Sequence, residues 1–77
     1  MMPFDEDLDL TGVPCPQNAA RTLLRLSMMD SGEVLKVIVD DGEPIELVPM
    51  SVLTEDHTIL ERQALEDSRW VLWIEAD

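Results

Sequence analysis

Apolar and polar residues change rhythm several times along the chain. Leu8-Asp9-Leu10 alternates with the strand period, over a length that predicts only a short strand. Ala19, Ala20, Leu23, Leu24 and Leu26 then recur at helical spacing, with Arg21 and Arg25 on another face. Val34-Leu35-Lys36-Val37-Ile38-Val39 is rich in β-branched residues, is bounded by Gly32 and by Asp40-Asp41-Gly42, and predicts the firmest strand. Glu43-Pro44 opens a second helix with Ile45, Val48 and Val52 on one side. From His57 to Ala76, two apolar runs flank Leu65-Glu66-Asp67-Ser68-Arg69, the pattern of a hairpin with an irregular turn.

The punctuation between these segments sharpens the picture. Thr11-Gly12-Val13-Pro14-Cys15-Pro16 packs a glycine and two prolines into a tight connection. Pro16 suits the first helical position, where its missing N–H is not needed, and Cys15 then becomes the N-cap. Gly32 is the expected C-terminal stop of that helix. Asp40, Asp41 and Glu43 would occupy the positive end of the second helix. Pro49 falls after the first turn of that helix and should bend or split it.

The order is strand, helix, strand, helix, strand, strand. A four-stranded mixed sheet with both helices on one face satisfies it, the first two strands running parallel as neighbours or with another strand between them. One face of the sheet is then open. Alternation places Trp70, Leu72 and Ile74 on one side and Val71, Trp73 and Glu75 on the other, so one tryptophan must point away from the helices. That outward ring is either partly covered by neighbouring side chains or a contact surface, for example for a weak homodimer through Trp73 or a sheet edge.

Composition narrows the function classes. A chain of 77 residues makes one domain, with residues 1–6 expected as a flexible tail and 7–77 as the domain. A hydrophobic fraction of 45% is that of a globular chain. Seventeen Asp and Glu against five Lys and Arg give a net charge of -12, which repels a polyanion, so direct nucleic-acid binding is not expected. The acidic start Asp5-Glu6-Asp7 does not resemble a secretory signal, and apolar runs are too short to span a membrane. A cytoplasmic, reducing compartment, where a free thiol persists, is the expectation.

The single cysteine, Cys15, can form no internal disulfide and no multi-thiolate zinc site. It is either a buried hydrophobe or a reactive thiol. Free N–H groups and the dipole at a helix end favour a thiolate by about 0.3–1 kcal/mol. A carboxylate about 10 Å away opposes this by about 0.4 kcal/mol before screening. In so acidic a chain the two are comparable, and a modestly reactive thiol is the expectation. The only histidine, His57, falls at the start of a late strand, where nothing in the sequence joins it to Cys15 as a base. The acidic group Asp40, Asp41, Glu43 and Glu46 lacks calcium-loop spacing, and no glycine-rich phosphate loop is present. No cofactor and no metal is expected. Such a thiol could accept a group and pass it on.

Leu8-Asp9-Leu10-Thr11-Gly12-Val13-Pro14-Cys15-Pro16, the helix after it, Gly32-Glu33, the hydrophobic strand, Asp40-Asp41-Gly42 and Val48-Pro49 together resemble the TusA (SirA-like) family of sulfur carriers. The resemblance runs from Leu8 to the final strand. It implies a two-layer α/β (α+β) sandwich with the element order given above. It also implies that Cys15 accepts a sulfane sulfur as a persulfide from a cysteine desulfurase or another sulfurtransferase, and that an acceptor protein receives it. Pro16 would start the helix that presents the thiol, supported by Gly12 and Asn18, and a proline at the place of Pro49 is usual in the family. This chain has Asn18 where the family motif Cys-Pro-x-Pro has its second proline, and Thr11 where an Arg often precedes the glycine. The pathway, whether transfer RNA thiolation, molybdenum cofactor maturation or sulfur oxidation, is not specified by these residues. The reading from a different class is a non-catalytic interaction or regulatory module on the same fold.

Overall fold

The structure is a computed structural model that describes residues 2–77. Its elements are β1 (Glu6–Asp9), α1 (Gln17–Ser27), β2 (Val34–Asp40), α2 (Glu43–Thr54), β3 (Thr58–Ala64) and β4 (Arg69–Glu75). One four-stranded sheet runs in the order β1-β2-β4-β3, with β1 parallel to its neighbour β2 and the other pairs antiparallel. Leu35, Val37 and Val39 of β2 and Leu72 and Ile74 of β4 join Ala19 and Leu26 of α1 and Ile45, Val48 and Val52 of α2 in one core. Both helices therefore cover the same face, as the alternation requires. The sheet's register pairs Leu35 with Ile74 and Val37 with Leu72, which stacks the buried positions of the two central strands.

Several local expectations are corrected. Helix α1 begins at Gln17, so Pro16 is its N-cap residue and Cys15 lies one position outside, joined to Pro16 by a cis peptide bond. The helix also ends earlier than Gly32, at Ser27. There Met28 and Met29 N–H groups bond to the carbonyls of Arg25 and Leu26, tightening the last turn. Gly32 belongs instead to the approach to β2, where its φ of +89° suits glycine and its N–H donates to Ala76 at 2.9 Å. Pro49 does not split α2. The helix continues through it, with Pro49 buried and the Ile45 carbonyl losing its helical partner.

The hairpin turns through Ser68, at a φ of +64°, and β3 is irregular at Leu60, where the register shifts between Ile59 and Glu61. Strand β1 starts inside the expected tail: Asp5 N donates to the Val34 carbonyl at 2.8 Å and Phe4 lies under the Lys36 ammonium. Met1, also assigned to that tail, lies outside the described residues.

Trp73 points away from the helices, as alternation demands, yet is 0% exposed. Its register neighbours are Lys36 and Glu61, and its indole N–H has no partner among the described residues. A ring so enclosed offers no surface for self-association.

Trimming the core and the surface should separate cleanly. Leu35→Ala, at a fully buried position, should cost about 2–5 kcal/mol in urea unfolding. Leu24→Ala, on a side chain 63% exposed, should stay within about 0.5 kcal/mol of wild type.

Candidate functional site at the start of the first helix

Because β1 and β2 run in parallel, both deliver their carboxyl ends to one edge of the sheet. The ladder continues one step past β1, with Leu10 N donating to the Ile38 carbonyl at 2.8 Å. The chain then turns: Val13 N bonds to the Leu10 carbonyl at 3.0 Å, with Gly12 at a φ of +79°, a turn conformation that favours glycine. Asp9 Oδ1 accepts from Thr11 twice, from its N–H at 2.9 Å and its hydroxyl at 2.6 Å. Asp40, at the end of β2, accepts the Gly12 N–H through Oδ2 at 2.7 Å, which ties the turn to the sheet.

These contacts reassign the acidic run. The sequence places Asp40 and Asp41 at the positive end of α2, but α2 has no side-chain cap. Asp40 holds Gly12, and Asp41 accepts the Trp70 indole N–H at 2.9 Å. Only Glu43 and Glu46 lie in the first turn of α2. A guanidinium also stands beside Thr11, brought from β4: Arg69 Nη1 is 3.3 Å from the Thr11 hydroxyl and Nη2 is 2.7 Å from Asp67. The bond to Asp67 above all, then the charges of Asp67, Asp9 and Asp40, raises the Arg69 value further. Composition flagged neither Arg69 nor Asp40 as part of the cysteine loop. The signal available was the Thr-Gly turn, whose freed backbone donors need a partner.

Cys15 follows this turn and is partly exposed. Asn18, in the first turn of α1, is completely buried and donates from Nδ2 to the Cys15 sulfur at 3.1 Å. Its Oδ1 accepts the Ala19 N–H at 2.6 Å, and its carbonyl accepts the Thr22 hydroxyl at 2.9 Å. The structure thus brings Gly12, Cys15, Pro16 and Asn18 into one connection. His57 is elsewhere. It precedes β3, which starts opposite Glu75 at the end of the sheet where β2 begins, and its Nδ1 accepts the Asp77 N–H. Among the described residues no group of three or more His, Cys, Asp or Glu could hold a metal ion, and no helix is long and apolar enough to cross a membrane.

A cysteine presented by a tethered turn at the carboxyl end of a parallel strand pair, one position ahead of the N-cap of a helix, defines a thiol-presenting α/β sandwich. A family model described as Sulfurtransferase TusA matches residues 6–76, and the chain belongs to that family. Its relatives include several named "Putative sulfur carrier protein", among them three from different organisms. One, from Archaeoglobus fulgidus, is 37% identical over 70 residues, covering 91% of this chain and 80% of the relative. A second, YedF of Escherichia coli, is 34% identical over 59 residues, 77% of each chain. The third, from Thermotoga maritima, is 33% identical over 67 residues, 87% of this chain and 85% of its own.

The Asp9 carboxyl is held below its ordinary value, first by the Thr11 hydroxyl and then by the Thr11 N–H, with Arg69 adding to the effect. A depressed carboxyl stabilises the fold at a pH above its unfolded value, about 3.9. That contribution fades as the pH falls through the lower folded value. Asp9→Ala should therefore lower the urea midpoint near neutral pH. The gap to wild type should close in strong acid.

Proposed function

We propose that this chain is a sulfur carrier whose Cys15 accepts a sulfane sulfur as a persulfide and hands it to an acceptor protein. The observation that carries this reading is the partly exposed Cys15, its sulfur held by one amide donor after a turn anchored to the sheet. The family and its relatives support it. In loading, the Cys15 thiolate attacks the terminal sulfur of a donor's persulfide, that donor's S–S bond breaks, and the donor leaves as a thiolate. In discharge, an acceptor thiolate attacks the outer sulfur on Cys15, the S–S bond to Sγ breaks, and the electron pair returns to Sγ. Neither step needs a redox cofactor, since sulfane sulfur moves between thiolates without net electron transfer. The donor would be a cysteine desulfurase or another sulfurtransferase, and transfer RNA thiolation is one pathway such a relay can serve.

Incubation with a cysteine desulfurase and cysteine should add one sulfur to the wild type by intact mass, and none to Cys15→Ser. No addition to wild type, or equal addition to both, would reject the carrier reading and leave an interaction module on this fold.

Charge suits a protein partner with a basic docking face. Asp9, Asp40, Asp41 and Asp67 gather at the end of the sheet from which the thiol loop emerges, in a chain of net charge -12. The rate of association with the donor should fall as ionic strength rises. A rate indifferent to salt would contradict this steering.

A further inference from the structure

A helix N-terminus ordinarily offers several unpaired N–H groups to a nearby anion. Here the first turn of α1 spends most of them internally. Asn18 N donates to the Pro14 carbonyl at 3.1 Å, Ala19 N to the Asn18 side-chain oxygen, and Ala20 N to the Pro16 carbonyl at 3.1 Å. Pro14 and Pro16 flank Cys15 and have no N–H to give. The donor aimed at the sulfur is a side chain, the Asn18 amide, fully buried with its oxygen engaged and its nitrogen 3.1 Å from Sγ. A buried amide has few alternative partners, so its N–H is held on the sulfur and not shared with water.

We infer that Asn18 is a catalytic residue for sulfur release, stabilising the Cys15 thiolate as it departs. The inference rests on the carrier reading. When the acceptor thiolate attacks the outer sulfur, the new S–S bond forms on the acceptor while the Sγ–S bond breaks, and negative charge appears on Sγ. That is the atom Asn18 Nδ2 contacts. In the persulfide the charge resides on the outer sulfur, so the amide bond to Sγ strengthens along the path of discharge, as transition-state stabilisation requires. Loading gains less. There the amide stabilises the attacking thiolate, raising its population but lowering its nucleophilicity, and the two effects partly cancel. Asn18 thereby biases Cys15 toward giving sulfur up.

The test loads each protein with one sulfur and follows its single-turnover discharge to glutathione by intact mass. Asn18→Ala should discharge about tenfold more slowly, the order expected for losing one charge-assisted hydrogen bond. Asn18→Asp keeps the acceptor for Ala19 N–H but sets a carboxylate against the sulfur, and should slow discharge at least as much. Loading should slow less than discharge in both variants. Discharge within about twofold of wild type, or loading and discharge slowed alike, overturns the assignment, since a purely structural role moves both.

Because a buried asparagine can matter to folding, a second measurement uses wild type alone. The Asn18 side-chain amide protons should shift downfield in step with thiolate absorbance as the pH is raised. Amide protons indifferent to that transition also overturn it. This arm needs no sulfur donor, so it separates failure of the Asn18 assignment from failure of the carrier reading, which the absence of any sulfur uptake would signal.

Discussion

A short parallel ladder, from Glu6 beside Leu35 to Asp9 beside Ile38, carries β1 and β2 in the same direction and ends both at one edge of the sheet. A parallel pair cannot be closed by a tight turn, so α1 must cross the face of the sheet before β2 begins. The cysteine loop is the first half of that crossover. The same pairing sets Asp40 beside Gly12, and the antiparallel return of β4 brings Arg69 opposite Asp40. The chemistry of the loop is thus assembled from three adjacent strands, β1, β2 and β4. Its anchoring rests on two carboxylates, Asp9 and Asp40, that accept backbone N–H groups at the turn.

Much of this was readable from residue spacing, and the failures have particular causes. The β2 strand and the face of α1 carrying Ala19 and Leu26 follow from periodicity, because burial on one side leaves a regular imprint. Pro49 misleads because the cost of a missing helical hydrogen bond is set against packing: the residue is buried beside Val48 and Val52, in a helix held to the sheet. Asp40 and Asp41 mislead because a helix start and a neighbouring loop compete for the same carboxylates, and sequence shows only the nearer of the two. Cys15 was identifiable as a lone thiol before a helix. Its actual donor was not, since the bond from Asn18 depends on the helix starting at Gln17 and on complete burial of the amide.

The contacts of Asn18 bear on the Cys-Pro-x-Pro motif that the sequence resemblance implies. A proline at that position would have no side-chain N–H to offer the sulfur. The asparagine supplies one while also accepting the Ala19 N–H, so a single residue completes the helix start and contacts the thiol. Thr11 behaves in a parallel way. It bonds to Asp9 and accepts from Arg69 of β4, so a cation from a distant strand stands beside the turn.

The two outer strands of the sheet have a bearing on how the molecule behaves in a crowded solution. An unpaired strand edge is a template on which another chain can add, and proteins protect such edges by keeping them short, irregular or charged. Here β1 has only four residues, with Glu6, Asp7 and Asp9 among them, and β3 on the other side is broken by its register shift and carries Glu61 and Arg62. Acidic side chains at one margin and an interrupted ladder at the other discourage intermolecular strand pairing, so the acidity first noticed as a repulsion of polyanions also keeps copies of the domain from zipping into aggregates.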